Sequence, residues 1–228
     1  MPDTPFKIQR VIQIHPDHPD PDVIKQAAGC IKTRGLVIFP TRCLYGLAAD
    51  ALDPAAVHTI FSIKKREKNN PLLVLVHSQK DLEGIVTKMP DQAKLLMRTF
   101  WPGSLTLVFE AKPGVCELLT AGTGKIGVRV PSHPVARALV HAAGRPITGT
   151  SANLSGSPGC SRISDMPGKL IQAADMVLDA GTLKGGTGST ILDITCDPPR
   201  VLRQGTVPPD TIRQTLCSAI KMGKKINF

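Results

Sequence analysis

The sequence predicts an α/β fold: a single domain with a twisted, open sheet of mixed or parallel strands and helices packed on it. Three observations lead there. Two short runs, 36–39 and 72–76, contain no polar residue and read as strands buried on both faces. Helix starts at Asp20-Pro21 and Asp53-Pro54 fall between strand-like runs, the alternation expected of β-α units. A chain of 228 residues, 42% of them hydrophobic, can bury one substantial core without needing a second.

Taken in order, 11–14 reads as a first strand. Asp20 as N-cap and Pro21 at the first helical position start a helix with Val23, Ala27 and Ile31 on one face, closed by Gly35. The run 36–39 ends in Pro40, so 41–46 is expected to be a loop at the carboxyl end of a strand. Asp53 and Pro54 open a second helix with Val57, Ile60, Phe61 and Ile63 inward, ending in the cationic run Lys64, Lys65, Arg66. After the strand at 72–76 come a helix at 91–100, broken by Trp101-Pro102-Gly103, and a strand at 105–109. Strands at 126–130 and 147–150 flank a helix at 132–143, and the Gly, Ser and Pro content of 155–164 marks a loop. Strands at 176–179, 190–194 and 201–203 and an amphipathic helix at 211–217 complete the pattern. One domain is therefore expected over 8–217, followed by a short basic tail at 218–228 that holds Lys221, Lys224 and Lys225.

Lys and Arg number 28 against 18 Asp and Glu, a net charge of +10. Such an excess concentrates polyanions such as nucleotides, pyrophosphate and RNA, without choosing among them. No apolar run approaches the roughly 18 residues of a membrane span, and the first ten residues lack the apolar core of a secretory signal. A cytoplasmic protein with no membrane contact is expected. The six cysteines, Cys30, Cys43, Cys116, Cys160, Cys196 and Cys217, form no C-x-x-C pair, which indicates neither a zinc site nor a disulfide framework. No metal-ligating residues are assigned.

Generic motifs fail on context. Gly122-x-Gly124-x-x-Gly127 has the letters of a dinucleotide fingerprint, but a strand is expected where that motif needs a helix. Gly124-Lys125 lacks the earlier glycine and the following Ser or Thr of a phosphate loop, since Leu119 and Ile126 occupy those places. Gly149-Thr150-Ser151-Ala152-Asn153 carries Asn153 where a hydrolase elbow needs glycine. What remains is a set of polar groups at the ends of expected strands: Thr41 and Tyr45, Arg129, Ser151 and Asn153, and Arg203. Open α/β sheets bind ligands at such ends. With Lys64 and Arg66 the site is strongly cationic.

These residues also carry a resemblance. Pro40-Thr41-Arg42-Cys43-Leu44-Tyr45-Gly46-Leu47 is similar to a P-T-x-T-x-Y-G-L loop, and Lys64-x-Arg66 pairs with Ser151-x-Asn153. Trp101-Pro102-Gly103-Ser104-Leu105-Thr106, Gly127-Val128-Arg129-Val130-Pro131, Ser189-Thr190 and Leu202-Arg203-x-Gly205 follow in the same order. Together they resemble the YrdC-type threonylcarbamoyl-adenylate synthases over about 8–211. Departures from the pattern are Arg42 and Cys43 in the first loop, Ser104, Lys125 and Gly159; Leu75 stands where some members have histidine, and His77 is read as a loop residue.

The resemblance implies a YrdC-like fold and condensation of L-threonine, bicarbonate and ATP into threonylcarbamoyl-adenylate with release of pyrophosphate. It implies Lys64 and Arg66 as catalytic cations, and Arg66, Asn70, Lys125, Ser151, Asn153 and Arg203 as nucleotide contacts. Thr41, Arg129, Gly149 and Ser189 would hold threonine, with Arg129 bidentate to the carboxylate. Mg²⁺ would arrive with ATP, and no tightly bound organic cofactor is expected. Partners implied are a downstream tRNA threonylcarbamoyl transferase and RNA, double-stranded or transfer. A competing reading is a non-catalytic member that binds double-stranded RNA or the ribosome. Lys64, Arg66, Ser151 and Asn153 favour the enzyme, because a phosphate-binding surface has no need of a Ser-x-Asn. A carbamoyl-transfer domain of the hydrogenase-maturation type is disfavoured by the lack of zinc-finger cysteine pairs.

Overall fold

The computed structural model describes residues 10–221. The chain runs β1 (Arg10–Gln13), α1 (Pro21–Lys32), β2 (Val37–Pro40), β3 (Tyr45–Ala48), α2 (Pro54–Lys64), β4 (Val74–Leu75), α3 (Gln79–Ile85), α4 (Asp91–Phe100) and β5 (Leu105–Glu110). It continues with α5 (Glu117–Thr120), β6 (Lys125–Arg129), α6 (Pro134–Ala143), β7 (Ile147–Thr148), β8 (Thr150–Ser151), a 3₁₀ turn (Ile163–Asp165) and α7 (Gly168–Ala173). The last elements are β9 (Met176–Asp179), β10 (Thr190–Asp193), β11 (Arg200–Arg203) and α8 (Pro209–Lys221). The helix α8 therefore passes the domain end expected at 217; Ile8 and the tail lysines Lys224 and Lys225 lie outside the described residues.

The α/β class with mixed strand directions holds, and the strands divide into two sheets. One has the order β1-β9-β2-β3-β8, the other β11-β10-β5-β6-β4-β7. Each contains both parallel and antiparallel pairs. The apolar runs behave as a period of two on two buried faces requires. Leu36 and Ile38 join one core cluster while Val37 and Phe39 join the other, and Val74 and Val76 divide from Leu75 in the same way. Both expected helix starts are built as read. Asp20 accepts from Asp22 N at 2.8 Å, and Asp53 accepts from Ala55 N at 2.9 Å, each ahead of a proline.

Two departures from the expected pattern shape the site. The loop expected at 41–46 is shorter, because Tyr45 already begins β3, which pairs antiparallel with β2 in the register Pro40↔Tyr45. Gly46 is needed there: a Cβ would lie 2.9 Å from the Phe39 ring. The strand expected at 147–150 is divided at Gly149, with β7 pairing to β4 in one sheet and β8 to β3 in the other. Gly149 N donates to Leu73 O at 2.8 Å, and a Cβ at this position would sit 2.7 Å from Leu75 Cγ, so only glycine lets the chain pass so close.

Candidate functional site

The crossing at Gly149 brings the carboxyl ends of β2, β6, β8 and β11 around one cleft of about 400 Å³. Its walls include Thr41, Arg66, Asn70, Arg129, Gly149, Ser151, Ser189 and Arg203, eight of the eleven residues singled out from the sequence. Lys64, Lys125 and Asn153 do not line it.

Lys64 occupies the last turn of α2 and is 1% exposed. Its ammonium donates to Ser151 O and Asn153 O, both at 2.5 Å, and to Asn153 Oδ1 at 3.2 Å. An ammonium has three donors, and all three are engaged. Burial, reinforced by the Arg66 charge and opposed by Cys160, pulls this group down to about 8. In this structure the Lys64 ammonium is thus tied to the 151–153 turn and does not line the cleft where the sequence reading placed it. Asn153 is equally committed. Its Oδ1 also accepts from Ser151 Oγ at 2.5 Å, and its Nδ2 donates to Leu154 O at 2.9 Å and Ser157 O at 2.5 Å. Every polar valence of the amide is used inside the fold, and Asn153 frames Ser151.

Lys125 also lies outside the cleft lining. It begins β6, Arg129 ends it, and the strand's alternation puts both on the less buried face. Four residues of strand separate them, about 13 Å, and the Lys125 ammonium pairs with Asp193 at 3.1 Å.

The arginines differ from this closed network. Arg66 Nε donates to Asn70 O at 2.9 Å, and its Nη2 to Asn70 Oδ1 at 2.8 Å and Pro71 O at 2.6 Å, which leaves Nη1 uncommitted. Arg203 Nη2 donates to Ser189 O at 2.8 Å. Ser189 Oγ in turn shares a hydrogen bond with Thr106 Oγ1 at 2.8 Å. Arg129 has a buried Nε with no hydrogen-bond partner among the described residues. Burial and the nearby Arg203, opposed by Cys43, pull its guanidinium down to about 10. Burial also lowers Arg66 and Arg203. A buried guanidinium nitrogen without a partner, such as Arg129 Nε, is stabilised by an anionic ligand.

The cleft residues without a role assigned from the sequence include Arg42 and Cys43, in the 41–44 turn. Thr41 N and Oγ1 close that turn on Leu44 O, at 3.2 Å and 2.5 Å. Tyr45 also lines the cleft, but its hydroxyl is spent inside the fold, donating to Gly181 O at 2.7 Å and accepting from Ala180 N at 3.0 Å. His77 follows β4, stacks on His141 with centroids 4.3 Å apart and stays out of the cleft. Among the described residues, no group of three His, Cys, Asp or Glu is placed to hold a metal ion, and no helix is long and apolar enough to cross a membrane.

Four arginines and no carboxylate line the cleft, which defines an α/β protein built to hold anions at its strand ends. The chain belongs to the Sua5, YciO and YrdC family, whose description reads telomere recombination and which matches residues 30–205. It is 37% identical over 193 residues to the threonylcarbamoyl-AMP synthase of Pyrococcus abyssi, covering 85% of this chain and 57% of that one. A Mycobacterium tuberculosis relative is 41% identical over 193 residues, 85% of this chain and 88% of that one. The crystal structure of P. abyssi Sua5 complexed with L-threonine superposes with a TM-score of 0.84 at 36% identity, over 90% of this chain and 60% of that chain. The chain thus spans little more than half the length of the P. abyssi protein.

Proposed function

We propose that this protein forms L-threonylcarbamoyl-adenylate and pyrophosphate from L-threonine, bicarbonate and ATP. The observation that carries the reading is the unpartnered Arg129 Nε, set among three further arginines with no acidic residue in the wall. The similarity to synthases, and to a relative complexed with L-threonine, supports the same reading.

In this reading the fork of Arg129 receives the threonine carboxylate, with Thr41, Gly149 and Ser189 around it. The threonine amine attacks the carbon of bicarbonate, and water is lost as a carbamate forms. A carbamate oxygen then attacks the α-phosphorus of ATP, and the bond to the bridging oxygen of the β-phosphate breaks. All reactants are anionic, so their approach costs Coulomb energy that fixed cations offset. Arg66, held by Asn70 and Pro71, keeps Nη1 for the phosphates, with Asn70, Ser151 and Arg203 beside it. Lys64 and Asn153 hold Ser151 in place.

The wall offers no carboxylate to a divalent cation, so Mg²⁺ accompanying ATP would be held by phosphate oxygens and water. The product is an activated mixed anhydride, and its acceptor would be an adenosine of tRNA, reached through a separate cytoplasmic transferase. Incubation with ATP, threonine and bicarbonate, followed by mass spectrometry, tests the reading. The adenylate should appear only when all three are present. Product without bicarbonate would mean ordinary aminoacyl-adenylate formation and would sink it.

A further inference from the structure

The cleft holds one cation that the reading above leaves idle. Arg42 sits at the tip of the 41–44 turn, which is closed on Leu44 O and tied to the neighbouring loop by Gly185 N donating to Cys43 O at 2.9 Å. It lines the cleft, is exposed, and has no hydrogen-bond or ion-pair partner among the described residues. The turn therefore presents a whole guanidinium fork to the cleft.

The anions of the proposed reaction are unequal in charge. Threonine and bicarbonate carry one carboxylate-like charge each, whereas a triphosphate carries several, and the part that departs as pyrophosphate carries most of them. Arg129 keeps a buried Nε without a partner among the described residues, and one carboxylate would match its charge. Arg66 and Arg203 each spend donors on backbone oxygens, Asn70 O and Pro71 O for the first and Ser189 O for the second. No acidic residue in the wall competes for the fork or offers a ligand to a metal ion.

We propose that Arg42 is a specificity-determining contact for the pyrophosphate end of the nucleotide, so that this cleft neutralises the leaving group with guanidinium groups rather than through a metal ion held by the protein. The proposal rests on the synthase reading for the identity of the ligand. Its chemistry, a fork free for a condensed phosphate, is testable without turnover.

Inorganic pyrophosphate and inorganic phosphate are the probes, titrated calorimetrically into wild type, Arg42→Ala and Arg42→Glu, with EDTA and again with magnesium. Wild type should bind pyrophosphate in EDTA. Arg42→Ala should weaken it about tenfold, the loss of a charge-assisted contact, and Arg42→Glu further. Phosphate and threonine affinities should change by less than about threefold, because neither offers the two linked phosphate groups that the proposal divides between Arg42 and the other arginines. Since Arg42 has no hydrogen-bond or ion-pair partner among the described residues, unchanged thermal midpoints are expected of both variants. Wild-type binding that requires magnesium, or variants that bind pyrophosphate as wild type does, would overturn the proposal. If adenylate forms while Arg42 proves irrelevant to pyrophosphate, the synthase reading stands alone; if pyrophosphate binds through Arg42 and no adenylate forms, the anion contact stands and the reading fails.

Discussion

Lys64 and Arg66 stand two residues apart, carry the same charge and belong to opposite kinds of site. Around Lys64 every group is matched: its three donors meet three oxygens, and the Asn153 amide is satisfied on both sides. Around the arginines the matching stops short: among the described residues, Arg129 Nε is unpartnered, Arg66 Nη1 is uncommitted and Arg42 has no hydrogen-bond or ion-pair partner. A polar cluster that closes on itself rigidifies a turn, whereas one left open in a cationic cleft is held ready for a ligand. Charge and motif membership do not distinguish the two; hydrogen-bond satisfaction does.

Substitutions can break this contrast, and the largest effect is expected at Arg129. Arg129→Ala should lower adenylate formation about a hundredfold or more, by analogy with the loss of a preorganised charge contact. Its folded-state value lies below that of a free guanidinium, so at neutral pH the fold carries a penalty for keeping it charged. Removing it should leave the thermal midpoint unchanged or raised. A midpoint that fell together with activity would make Arg129 part of the frame.

Lys64→Met should do the reverse. Three buried oxygens lose their donor, and a destabilisation of about 3 kcal/mol is expected in chemical denaturation. Turnover would fall with it, through the 151–153 turn. A stable variant without activity would return Lys64 to direct catalysis. The same residue sets an alkaline limit in wild type. Its value is about 8 in the fold, below its ordinary 10.5, so the unfolded chain binds the proton more tightly between those values. The contribution of this group to stability is thus flat below pH 8 and rises from there to 10.5. Activity should move the opposite way, falling above about pH 8 as the turn loses one of its three donors. An activity profile in Lys64→Met with the same alkaline limb would refute the assignment.

The smallest effect is expected at Lys125. Its partial exposure and single ion pair with Asp193 limit the cost of Lys125→Ala to less than about 1 kcal/mol. ATP affinity should change less than about threefold. A tenfold loss measured by calorimetry would show that the nucleotide runs the length of β6 and would restore Lys125 to the site.

Much of the frame was readable from local chemistry. The two Asp-Pro helix starts and the two unbroken apolar runs require only neighbours in sequence, and they fold as expected. The strand ends also placed Thr41, Arg129, Ser151 and Arg203 in one cleft. One signal was present but not used: Ser78 and Asp81 form the capping box that starts α3. β3 was hidden because Gly46 and Ala48 are poor strand formers in isolation, and their place is set by Phe39 across the hairpin. The break at Gly149 was hidden for a similar reason, since the Leu75 side chain that forbids a Cβ belongs to a strand more than seventy positions earlier.

Residue order by itself determined the Asp-Pro helix starts and the unbroken apolar strands, and which side chains can carry positive charge to the strand ends. Tertiary structure decided which of those charges remain available. The acceptors that occupy Lys64 lie 87 and 89 residues away along the chain. Periodicity reports a side chain's nearest neighbours, whereas the satisfaction of a buried ammonium depends on oxygens that only folding brings within 3 Å.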